Sequence, residues 1–153
     1  MTNTPLSTTD RWASELTKAA ACKAIAETDF FAMVAEKAHT IPQREIASVL
    51  HTSQAQVSRW AARGREHAER RDGRPGADPY EIAQRYALGQ ITREQMIAAL
   101  SQWPYEPDHV PQDYWDDTGV LREGGFEDTV GRALSDGLLS DEDYDEILDA
   151  LPS

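Results

Sequence analysis

Apolar residues in this chain recur at three- and four-residue intervals, and the strict apolar–polar alternation of a half-buried strand is absent. Ala, Glu, Gln, Leu and Arg, all good helix formers, dominate the spaced segments, so the pattern predicts an all-α protein. One helix is expected from about Thr9 to Ile25, with Trp12, Leu16, Ala19 and Cys22 or Lys23 in step. A second is expected from Asp29 to Ala38, carrying Phe30, Met33, Val34 and Ala38. "TIPQREIASVL" (40–50) has the signature of a helix start, with Thr40 as N-cap, Gln43 three residues on and Pro42 in the first turn. Its apolar stripe is Ile46, Ala47 and Leu50. Ser53 and Gln56 form a second capping box, which opens a helix with Val57, Trp60 and Ala61 on its inner face. Two short helices joined by about three residues have few compact arrangements, and the helix-turn-helix is one of them.

"GREHAERRDGRPGADP" (64–79), rich in Gly, Arg and Pro, reads as the end of that helix followed by a linker. Beyond it lies a weak internal repeat. "YALGQITREQMIAAL" (86–100) aligns without a gap on "LSDGLLSDEDYDEIL" (134–148), pairing Gly89 with Gly137, Ile91 with Leu139 and Thr92 with Ser140. Each copy reads as helix, glycine C-cap, apolar residue, hydroxyl N-cap, helix. Asp78-Pro79 caps the helix entering the first copy, and Val130 with Leu134 lines the one entering the second. Two αα-hairpins follow, too small to bury much surface unless they pack on each other or on a partner. The intervening "WPYEPDHVPQDYWDD" (103–117) holds four aromatic residues and three prolines. Trp103, Tyr105, Tyr114 and Trp115 are therefore candidates for partner binding, against the simpler role of closing the core between the hairpins.

Charge divides the chain in two. The formal net charge is -12, but residues 1–77 carry 11 Lys and Arg against 9 Asp and Glu, and residues 78–153 carry 4 against 18. A mildly basic front thus precedes a strongly acidic back. The chain has no apolar run long enough to span a membrane, and "MTNTPLSTTDRW" lacks the apolar core of a secretory leader; a cytoplasmic, nucleoid-associated protein is expected. The single cysteine, Cys22, is expected to be a buried small residue.

Gln43–Ala62 carries the most specific signal. A helix-turn-helix places apolar residues at its fourth, eighth, fifteenth and eighteenth positions and a small one at its fifth. Ile46, Leu50, Val57, Trp60 and Ala47 occupy those places. "QREIASVL" followed by "SQAQVSRWAARG" resembles the Xre/Cro-type repressors over about residues 29–66. His51 and Thr52 depart from that pattern, which has a glycine and an apolar residue in the turn. His51 is then expected to adopt a left-handed conformation at a cost of about 1 kcal/mol. The two departures leave a related subclass open, such as the helix-turn-helix of sigma-factor region four. The resemblance implies that the helix starting at Ser53 enters the major groove. Ser53, Gln54, Ala55, Ser58 and Arg59 would face base edges, while Gln43, Arg44 and Arg63 would lie near phosphate.

Other chemistry is sparse. The four histidines are scattered and no metal-ligand spacing appears, so no metal, cofactor or catalytic residue is expected. "RRDGRPG" is similar to the Arg-Gly-Arg-Pro core of an AT-hook, but Asp72 sits where that motif has an arginine. The whole reads as an N-terminal DNA-binding domain (1–71), a linker (72–77) and an acidic helical domain (78–153) for dimerisation or partner binding. The expected function is a sequence-specific regulator binding double-stranded DNA as a homodimer. It would be a repressor or an antitoxin-type autoregulator whose acidic half holds a toxin or other basic protein. The alternative is an acidic adaptor or nucleic-acid-mimicking inhibitor acting through residues 78–153.

Overall fold

The computed structural model describes residues 8–106 and 125–152. The described residues are all-α. In order, the helices are α1 (Thr8–Lys37), α2 (Gln43–Val49), α3 (Gln54–Arg71), α4 (Pro79–Ala87), α5 (Arg93–Gln102), α6 (Arg132–Ser135) and α7 (Asp141–Ala150); a π-helical turn, Glu127–Gly131, runs directly into α6. One isolated bridge, Glu106 to Gly125, is the sole β pairing among the described residues. No helix among them is long and apolar enough to cross a membrane.

The largest departure from expectation is α1. Where two helices are predicted, one of 30 residues runs unbroken. "AIAETDF", which bridges the expected gap, contains neither glycine nor proline, so nothing stops propagation. Thr40 makes no cap: α2 starts behind Pro42, which offers no side-chain bond. α3 runs on through Gly64 to Arg71, and Asp72 closes it in the left-handed conformation, φ 47°. Gly64 lies where α3 crosses α1. A Cβ there would stand 2.2 Å from the Phe31 carbonyl oxygen and 2.8 Å from the Ala35 methyl, so the missing side chain sets the approach of the two helices.

Two groups of buried side chains organise the molecule. Val34, Ile46, Ala47, Val57 and Ala61 pack where α1, α2 and α3 meet. Ile82, Met96, Leu100, Val130, Ala133 and Ile147, all fully buried, form the larger core of α4 to α7. Ala21 on α1 belongs to this second group, so one helix serves both.

The caps predicted from the repeat are made. Gly89 (φ 76°) and Gly137 (φ 77°) turn the chain after α4 and α6. The Gln90 and Leu138 amides reach back to the Arg85 and Ala133 carbonyls, each at 2.9 Å, which satisfies the last turns. Thr92 with Gln95, and Ser140 with Asp143, close reciprocal capping boxes on α5 and α7. Arg93 ties the two helices by donating to Asp143 at 2.7 Å and Glu146 at 2.6 Å. Tyr80 on α4 donates to Asp136 at 2.6 Å. Burial first, then that bond, pushes its phenol up to about 12.

Between α3 and α4, residues 72–78 form turns and draw the two halves together. The Glu81 carboxylate accepts from the Ala77 amide at 3.0 Å and from Arg85 Nε at 3.3 Å, and pairs with His67 Nε2 at 2.6 Å. Arg85 continues the chain of contacts to Asp29 on α1 at 2.9 Å and to Gln90 at 2.9 Å. His67, Glu81 and Arg85 are all buried. Arg74 does not extend outward as an AT-hook arginine would; its guanidinium lies 4.2 Å from the centre of the Trp103 ring.

Candidate nucleic-acid interface

The α2–α3 turn rests on one residue in an unusual conformation. Leu50 ends α2, and His51 follows with φ 54°. That angle lets the Thr52 amide reach the Ala47 carbonyl at 3.0 Å and the His51 amide the Ser48 carbonyl at 3.3 Å. The closure is the one the glycines make after α4 and α6, here built on a histidine. Ser53 then caps α3, its hydroxyl accepting from the Gln56 amide at 3.1 Å.

The two faces of α3 differ sharply. Val57 and Ala61 are 0% exposed, and Trp60 is half-buried with its ring edge-on to Phe30 at 5.1 Å. Ser53, Gln54, Ala55, Ser58 and Arg59 are all exposed on the outer side, uncovered by the acidic helices. Arg44 and Arg63 are exposed and Gln43 is half-buried; the Arg63 guanidinium lies 5.4 Å from the Phe31 ring centre. The helix carries five arginines against two glutamates, a local positive field within an acidic chain.

Gln56 escaped the sequence reading except as a cap. Its side-chain oxygen accepts from Arg59 Nε at 3.1 Å and Nη2 at 2.5 Å, which fixes the guanidinium along the helix. The i, i+3 spacing was the available signal. The bond leaves other guanidinium N–H groups directed away from Gln56, enough for a bidentate contact.

The remaining candidates lie elsewhere. Tyr105 packs inward, its ring edge-on to Phe126 at 5.1 Å and its hydroxyl donating to the Leu100 carbonyl at 2.5 Å; burial pushes that phenol well above its ordinary value. Trp103 is half-buried beneath Arg74. Both are thus engaged within the chain, while Tyr114 and Trp115 lie outside the described residues. Cys22, expected to be buried, is exposed: its neighbour Ala21 takes the inward position, and one residue is a turn of about 100° on a helix. Among the described residues no cluster of three or more His, Cys, Asp or Glu has the arrangement of a metal site. No protein-family model, no curated protein and no solved structure matches this chain.

Proposed function

We propose that the chain is a sequence-specific DNA-binding regulator in which α2 and α3 act as a helix-turn-helix and α3 is the reading helix. The observation that carries this is the composition and exposure of one helix face: Ser53, Gln54, Ala55, Ser58 and Arg59 are exposed to solvent above a buried Val57 and Ala61. A face selected only for solubility favours Glu and Lys; amide, small and guanidinium groups suit base edges. Gln54 can pair with an adenine and Arg59 with a guanine, while Arg44 and Arg63 take phosphates that position the helix. Holding Arg59 on Gln56 before binding lowers the side-chain entropy lost when it meets a base. One such helix reads few base pairs, so the operator is expected to be a two-fold repeat bound by a homodimer, and the regulator to repress by occupancy.

The rival reading, an acidic adaptor, is favoured by α7. Asp141, Glu142, Asp145, Glu146 and Asp149 are exposed along it, a face suited to a basic protein such as a toxin. Selection of genomic fragments by the full chain, followed by footprinting, separates the two. The regulator retains specific duplexes with an affinity that falls steeply with salt. Arg59→Ala is expected to weaken the selected site by about 1–3 kcal/mol while leaving non-specific binding nearly unchanged. Absence of duplex binding at low salt would sink the reading.

A further inference from the structure

Along the outer face of α1 the residues Trp12, Leu16, Ala19, Lys23, Ala26, Phe30, Met33 and Lys37 follow one another at alternating spacings of four and three. That is the heptad spacing of a coiled-coil seam, sustained over more than three repeats with lysine at two of the eight positions. Every one of the eight is exposed; Trp12 is 53%, Leu16 61%, Phe30 36% and Met33 60% accessible. The helix spends its opposite side, through Ala21, Ile25 and Ala35, on its own chain. At the C-terminal end of the seam an apolar groove of about 430 Å³ opens between α1 and α2, lined among others by Met33, Lys37, Ile41 and Val49. Val49 on its rim is 76% exposed.

We propose that this seam is where a second copy of the chain docks, α1 against α1 and antiparallel, with Trp12 of each copy seated in the α1–α2 groove of the other. Three observations select a second copy. The seam carries a projecting indole at one end and an apolar socket, ample for such a ring, at the other, so antiparallel pairing fills both sockets at once and closes on itself as a two-fold requires. Aligning Trp12 with the level of Lys37 brings Leu16 to Met33, Ala19 to Phe30 and Lys23 to Ala26: each small residue meets a large one, and no two lysines share a layer. Parallel pairing would stack Lys23 on Lys23, Lys37 on Lys37, and leave two thin alanine layers. Charge points the same way. In a chain of net charge -12, α1 holds four basic and five acidic residues, so copies meet here without the repulsion that α7 would impose. The seam is roughly 38 Å long and a helix about 10 Å wide, about 400 Å² a side, and the two Trp12 side chains with the groove walls around them add to that toward the roughly 800 Å² a side of a standard interface. The site differs from the acidic half that sequence alone suggests for dimerisation, and it does not rest on duplex binding.

Sedimentation equilibrium of the full chain over about 1 to 100 µM tests the interface. A dimer is expected, and Trp12→Asp and Val49→Asp, at opposite ends of the seam, should each weaken it at least about tenfold with the thermal melt of each subunit retained. In a Cys22→Ser background, Lys23→Cys and Ala26→Cys chains should form a mixed disulfide when combined, far faster than either links to itself. A chain that stays monomeric throughout that range, a dimer indifferent to both aspartates, or Lys23→Cys chains that self-link as fast as the mixture would overturn the proposal.

Discussion

Gly64 shows how much one absent side chain can decide. Alanine there would gain about 1 kcal/mol of helix propensity. The same methyl would stand 2.2 Å from the Phe31 carbonyl oxygen, and a backbone oxygen inside a helix has no flexible end to yield. The clash wins: Gly64→Ala is expected to cost about 1–3 kcal/mol or more, read as a lower urea midpoint. That role is hidden in the sequence, where nothing beside Gly64 tells which helix it faces. His51 is the opposite case. Its place in the α2–α3 turn, where a glycine is usual, makes the left-handed angle readable in advance, and φ is 54°. Cys22 could not be read so well, since an alanine-rich helix offers no contrast to fix its rotation to within one residue.

At the level of elements, caps other than Thr40 were readable and the length of α1 was not. Thr92, Ser140, Gly89 and Gly137 announce their turns because each does a local job with its own side chain or its lack of one. The single α1 was missed because continuity has no residue of its own; it needs merely the absence of breakers. The α7 cap gives a pH-dependent prediction. Burial opposes ionisation of Asp143, but the Ser140 amide and hydroxyl and the Arg93 guanidinium outweigh it and hold the carboxyl below its ordinary value of 3.8. Folded Asp143 therefore takes up a proton less readily than unfolded. Its contribution is complete above about pH 5 and is lost as pH falls through the lower folded value. Asp143→Asn should lower stability by about 1–2 kcal/mol at neutral pH, with the gap from wild type closing on acidification. Urea titrations between about pH 6 and pH 2 would show it.

Across the whole molecule, the contacts joining its halves were the least legible. His67 and Glu81 are fourteen residues apart and Asp29 and Arg85 fifty-six, and no local pattern couples them. Together they make a polar chain from α1 through α4 to α3, buried at His67, Glu81 and Arg85 and open to solvent at Asp29. Glu81→Ala would strip partners from His67, Arg85 and the Ala77 amide in a dry place, at an expected cost of about 3–5 kcal/mol. Because α1 packs into both cores, unfolding should be one transition. Amide exchange would then show protection at Val57 on α3 falling together with that at Ile82 on α4. Independent melting of the halves would refute the shared helix.

Such sharing bears on how a protein of this shape can change over generations. The turns at 72–78 look like a natural seam for swapping a head onto a new tail, yet a graft cut there would carry Ala21 and His67 with their counterparts left behind. Lineages that exchange this head must inherit α4 with it, or rebuild that flank of α1 residue by residue.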